Sequence, residues 1–123
     1  MPKDRTPTLE QLRAQNAWER SKHYNKDHVI LAKGLPALIM NSGLLQVMAF
    51  LHEKGRKKPH CEDLAKDLRM WLHCRFPEVP ESFEEFMETL LKAQPSRFQE
   101  VTSEAFAWLK WLRQMAAARV GGK

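Results

Sequence analysis

Apolar residues recur every three to four positions along most of the chain, and no stretch of useful length alternates with the period of a strand. The clearest case is Phe83, Phe86, Met87, Leu90 and Leu91, spaced i, i+3, i+4, i+7, i+8. That spacing predicts an amphipathic helix, with Ser82 as its cap and Pro95 as its end. Val101, Ala105, Trp108, Leu109, Leu112 and Ala116 line one face of a final helix whose expected cap is Thr102. Near the start, Thr8 and Gln11 have capping-box spacing, and a helix is expected from Thr8 to Lys33. Its core sector holds Ala14, Ala17, Trp18, Ser21, Asn25, His28 and Ala32. Gly34 is expected to end that helix and Leu35-Pro36 to open another.

Asn41-Ser42-Gly43 reads as a break. Leu44 to Lys54, apolar on several sides, reads as a central helix closed by Gly55. GRKKPH is a basic connector, Leu64, Leu68, Trp71 and Leu72 mark a further helix, and Phe76 to Pro80 a surface loop. The expected fold is all-α, a single-domain bundle of five or six helices with short connections, with flexible tails at residues 1–7 and 119–123.

At 123 residues the chain suffices for one core, and 43% hydrophobic with 28% charged residues suits a globular chain. The stretch from Leu35 to Leu51 is too short and too interrupted to span a bilayer, so no membrane partner is expected. No secretory signal is read at the N-terminus, the two cysteines are expected to be reduced, and cytoplasmic residence follows. A net charge of +5 favours polyanionic partners. The charge is uneven. Residues 78–104 hold seven carboxylates (Glu78, Glu81, Glu84, Glu85, Glu88, Glu100, Glu104) against Lys92 and Arg97, a net of −5 that leaves +10 elsewhere.

Catalytic constellations fail on spacing. The five glycines form no phosphate loop, and neither HExxH nor an EF-hand series occurs. His60-Cys61 and His73-Cys74 carry soft-ligand types, but thirteen residues along a helix span about 20 Å, beyond one coordination sphere. No metal, cofactor or catalytic residue is expected. Asp27-His28 has the residue types of a nuclease pair without further ligands, and His28 is expected as a packed, hydrogen-bonded side chain. Trp18, Trp71 and Trp108 read as core or interface anchors, whereas Trp111, rotated off the main apolar sector, covers a second buried face or meets a partner.

Two stretches carry a family pattern. Leu35 to Gly55, LPALIMNSGLLQVMAFLHEKG, shows an LP-x-L-I segment, a Gly-Leu step and A-F-L. Val101 to Ala116, VTSEAFAWLKWLRQMA, shows T-x-E-A followed by W-L-K and W-L-R. Together they resemble the small helical subunit of the Cmr-type effector complex of type III-B CRISPR systems, over roughly the first 55 and last 25 residues. The resemblance implies a subunit without known catalysis that stacks in tandem, braces an RNA-guided antiviral complex and helps line its RNA channel. The implied partners are the backbone subunit, the large polymerase-like subunit, further copies of the chain, crRNA and target RNA. A free-standing helical adaptor is the alternative; an independent nucleic-acid regulator and a small metal-dependent nuclease rank below it.

Within that frame, Glu81, Glu84, Glu85, Glu88 and Trp111 are the candidate subunit interface. Lys22, Lys26 and Lys33 fall within about 40° of one another on helix one, on the flank of its core face. Lys110 and Arg113 form a second cluster on the side of Phe106, which is either a packing residue or a stacking platform. These five cations are the candidate RNA-binding residues, expected to neutralise phosphates without reading bases.

Overall fold

The structure, a computed structural model, describes residues 6–120. Six α-helices follow in order: α1 Leu9–Arg20, α2 Lys26–Ser42, α3 Leu44–Lys54, α4 Pro59–Arg75, α5 Phe83–Leu91 and α6 Pro95–Val120. They form one all-helical domain in which α6, the longest at 26 residues, packs against α1, α2 and α4. Helices α3 and α4 pack together, and α5 lies against both. The core runs through the middle of these layers, with Leu35, Met48, Leu64, Leu68, Phe86 and Trp108 fully buried. Of the expected tails, Thr6 and Pro7 take no regular structure, Arg119 and Val120 belong to the last turn of α6, and the rest lies outside the described residues.

Local chemistry accounts for most boundaries. Thr8 Oγ1 accepts from Gln11 N at 3.0 Å while Gln11 Oε1 accepts from Thr8 N at 2.8 Å, the reciprocal box expected of that spacing. Gly43 separates α2 from α3 at φ 87° and ψ 155°, a conformation that side chains with a Cβ rarely adopt. Pro59 sits in the first turn of α4, where its missing N–H costs no intrahelical bond. Gly55 is required for a different reason: a Cβ there would lie 2.6 Å from Glu62 Cβ.

Three expected boundaries are wrong. Helix one does not run from Thr8 to Lys33; α1 ends at Arg20, a 3-10 turn covers Ser21–His23, and Tyr24 and Asn25 are extended. The break is built by a second capping box. Asn25 Oδ1 accepts from Asp27 N at 2.9 Å and His28 N at 3.3 Å, and His28 Nδ1 accepts from Asn25 N at 2.9 Å. Histidine thus takes the place that Glu or Gln usually holds. Conversely, Gly34 and Pro36 break nothing: α2 passes through both, because Ala32, Leu35 and Ile39 are buried on one face and their packing outweighs one lost backbone bond. Finally, Pro95 begins α6 instead of merely ending α5, and Thr102 lies inside α6 with its hydroxyl donating to Phe98 O at 3.0 Å. Ser82 does precede α5, but its hydroxyl donates to Glu85 Oε1 at 3.1 Å and accepts from no backbone amide, so it leaves the helix start uncapped.

Candidate interaction surfaces

The acidic segment divides into an inner and an outer part. Glu104, only 4% exposed, accepts from Arg13 Nε at 2.7 Å, Arg13 Nη2 at 2.8 Å, Trp71 Nε1 at 3.0 Å and Arg75 Nε at 3.2 Å, joining α1, α4 and α6. Burial alone raises its pKa, but the hydrogen bonds from Arg13 and Trp71 outweigh it and hold the carboxylate below its ordinary value. Glu78 and Glu100 both bind Arg97, at 2.7 and 2.8 Å. Glu81, Glu84, Glu85 and Glu88 remain: all are exposed, and none has an ion-pair partner among the described residues. Glu84, Glu88 and Leu91 fall within about 60° on α5, and Leu91 is 68% exposed. The four acids named from sequence are therefore the unpaired ones; Glu78 and Glu100 are exposed too but share Arg97, so the −5 of the whole segment overstates the patch.

The basic ridge expected on helix one is split by the break. Lys22 lies in the 3-10 turn, before the break, and pairs with Glu19 at 3.3 Å. Lys26 and Lys33 lie two turns apart on one exposed side of α2 and have no ion-pair partner among the described residues. Ile30, between them, is 69% exposed, and Met40 on the same helix 76%. On α6, Lys110 and Arg113 are exposed, whereas Phe106 is half-buried and packs against the core, the packing half of its two readings. Trp111 likewise is half-buried and packs on the core, covering a second buried face. Trp71 and Trp108 are buried, the latter donating from Nε1 to Asn16 Oδ1 at 2.9 Å. Trp18, expected in the core, is 42% exposed and is covered by Arg119, whose guanidinium carbon lies 3.8 Å from the ring centroid.

His28 is packed and hydrogen-bonded, as the sequence suggests. It is 4% exposed, stacks on Tyr24 at 4.3 Å, and places Nε2 3.0 Å from Asp63 Oδ2. Because the Asn25 amide donates to Nδ1, the ring proton is on Nε2 and points at Asp63. Both nitrogens are engaged, so neither is left for a substrate proton, while Asp27 stands exposed at the start of α2. Tyr24 donates to Asp67 at 2.8 Å, and burial pushes the Asp67 carboxyl up despite that bond. These residues edge an open groove of about 750 Å³ that also exposes Lys22, His23 and Lys66. On α4, Cys61 is buried and its thiol is pushed up by that burial; Cys74 is exposed, and His73 Nδ1 lies 2.8 Å from Val79 O.

Two features escape sequence reasoning. One is Arg69, 3% exposed in α4, which donates to Glu81 O at 2.7 Å and Glu62 at 2.9 Å and so fixes the loop before α5. Glu62 also meets His52 at 3.0 Å, and His52 stacks on Phe83 at 3.8 Å, tying α3, α4 and α5. Nothing in the apolar periodicity flags a buried arginine. The other is the turn between α3 and α4, where Lys54, Arg56, Lys57 and Lys58 are all exposed and unpaired among the described residues. Its sequence signal is the run RKK, which by spacing alone is no more than a connector.

Among the described residues no helix is long and apolar enough to cross a membrane. The family model for the CRISPR-associated protein Cas_Cmr5 matches residues 9–119, including the middle helices α4 and α5, where sequence motifs are silent. The fold is similar to the crystal structure of a CRISPR-associated Cmr5 family protein from Thermus thermophilus. The two share 25% identity and a TM-score of 0.75, over 93% of this chain and 99% of that one. A match over nearly the whole helical domain, with the bundle reproduced, means that the chain belongs to the Cmr5 family, the small subunit of the type III-B CRISPR Cmr complex.

Proposed function

We propose that this chain acts as a non-catalytic brace in an RNA-guided antiviral Cmr complex, stacking in tandem and lining the channel in which target RNA pairs with crRNA. The supporting observation is the surface of α5 and the loop before it, where Glu81, Glu84, Glu85 and Glu88 stay unpaired among the described residues while the other three acids of the segment are ion-paired, Glu104 in the interior and Glu78 and Glu100 with Arg97 on the surface. A stripe of carboxylates beside exposed Leu91 suits a complementary basic surface on the next copy or on a neighbouring subunit. The contact is heterologous, so it repeats from copy to copy.

Lys22, Lys26, Lys33, Lys110 and Arg113 supply phosphate contacts along that stack, sequence-independent because guide pairing supplies the specificity. The partners are the backbone subunit, the large polymerase-like subunit, further copies of the chain, and crRNA with target RNA. The test is charge reversal: Glu84→Lys with Glu88→Lys should weaken incorporation into the complex while leaving the far-ultraviolet circular dichroism unchanged. Normal assembly of that double variant at low salt would return the acidic helix to a merely solvated face.

A further inference from the structure

The densest group of unneutralised cations in the described molecule is not on α2 or α6. Lys54, Arg56, Lys57 and Lys58 place four positive charges in five residues at the α3–α4 turn. All four are exposed, and none forms an ion pair among the described residues. The nearby carboxylate that could have quenched them is turned away: Glu62 spends one oxygen on His52 and the other on buried Arg69, at 3.0 and 2.9 Å. Glu53 is the one acid beside the four cations in the shallow cleft they line.

The turn is also held in shape. Gly55 N donates to Leu51 O at 2.8 Å, Lys57 N and Lys58 N both donate to Lys54 O at 3.1 and 2.9 Å, and Cys61 N donates to Lys58 O at 2.9 Å. Gly55 seats the turn directly on α4, where a Cβ would meet Glu62 Cβ at 2.6 Å. Lys54 Nζ lies 5.7 Å from the Phe50 ring centroid, which fixes that side chain at the edge of the cluster. Holding like charges together costs repulsion, and a preformed cluster gives that energy back only to an anion.

From this geometry we infer that the α3–α4 turn is a binding site for the phosphodiester backbone of a nucleic acid strand. The Lys58 N–Lys54 O bond closes the turn, so the four cationic side chains fan out from one compact loop and converge on the backbone of a single strand. Lysine is depleted at protein–protein interfaces, and the turn itself carries no large apolar anchor, which favours a phosphate ligand over an acidic protein. No base-reading fork is built, so the contact is independent of sequence. The inference rests on the RNA-lining role proposed above and adds a site outside the five cations named there.

The test compares two double variants of the full chain with equal charge loss: Lys57→Ala with Lys58→Ala in the turn, and Lys66→Ala with Lys92→Ala, exposed lysines outside it. Fluorescence anisotropy with a labelled oligouridylate, titrated between about 50 and 200 mM salt, reads the slope of log K against log salt. The turn variant should lose about 1.4 of slope, near 0.7 per cation removed, and the control less than half of that. Equal losses in both variants, no change in the turn variant, or no measurable binding by the wild type at the lowest salt would each overturn the site. Co-purification with the other Cmr subunits separates the two claims. A turn variant that binds RNA normally but drops out of the complex makes the turn a protein dock and overturns the inference. A wild-type chain that never enters the complex overturns the proposed function instead, while the anisotropy still decides the turn.

Discussion

Arg13 and Glu104, 91 residues apart in the chain, meet through two parallel hydrogen bonds of 2.7 and 2.8 Å that clamp the first helix to the last. Replacing Glu104 by Gln removes the charge that Arg13, Arg75 and Trp71 all address, and should cost about 3 kcal/mol of unfolding free energy at neutral pH. The folded-state pKa of Glu104 lies below its ordinary value of 4.5, so its contribution is fully present above that value and is lost as pH falls through the depressed one. Asp67, raised by burial, works in the opposite sense in the same range. The gap between wild type and Glu104→Gln in urea unfolding should therefore shrink between pH 7 and about pH 3. A gap that stays constant with pH would mean that the carboxylate is not the source.

Periodicity locates Leu44–Lys54 and the apolar face of α5 because in those segments burial and local signals agree. It fails where they part. Gly34 and Pro36 are breakers by composition, yet the buried row of Ala32, Leu35 and Ile39 carries α2 past them. At Asn25 the helical spacing continues through a real break, because the decisive bond runs from a backbone amide to an imidazole, a geometry that apolar spacing does not encode. The surface acids are legible for a simple reason: side chains with no internal use point outward. Glu104 is not, since its identity in sequence is that of any other glutamate and only the convergence of α1, α4 and α6 makes it internal.

The Asn25 cap should be measurable on its own. Asn25→Ala removes the acceptor for two amides at the start of α2 and should destabilise the domain by about 1 kcal/mol. Asn25→Asp keeps an acceptor at the same place and should restore most of that loss, as read from chemical denaturation. No loss in Asn25→Ala would show that the side-chain cap contributes nothing and that His28 alone holds the break.

His28 holds more than the cap. Replacing it by Ala removes the return bond to Asn25 N, the contact with Asp63 and the stack on Tyr24 together, from a position only 4% exposed. The expected cost is about 2 to 3 kcal/mol. His28→Gln, able to accept from Asn25 N in the manner of Gln11 at Thr8, should recover the capping share but not the ring stack. Thermal melts of the two variants that coincide would place all of the effect in the ring.

The glycines give a sign test that separates conformation from space. A Cβ on Gly34 would have nothing within 4 Å, and the residue is exposed in the interior of α2, so Gly34→Ala should raise stability by about 0.5 to 1 kcal/mol. Gly43 has equally open surroundings but stands at φ 87°, so Gly43→Ala should lower it by about 1 to 3 kcal/mol through backbone strain alone. Gly55 has an ordinary helical φ of −61°, yet its Cβ would lie 2.6 Å from Glu62 Cβ, and neither atom can move without separating α3 from α4. Gly55→Ala should therefore destabilise too, and should also disturb the His52–Glu62–Arg69 links behind the basic turn. Adding Glu62→Ala does not relieve the crowding, because its Cβ is still present, whereas Glu62→Gly removes the 2.6 Å contact and leaves only the milder ones with Glu62 N and Leu51 O at 3.1 Å. Denaturation midpoints in which Glu62→Gly fails to reduce the cost of Gly55→Ala would place the requirement for Gly55 in something other than that contact.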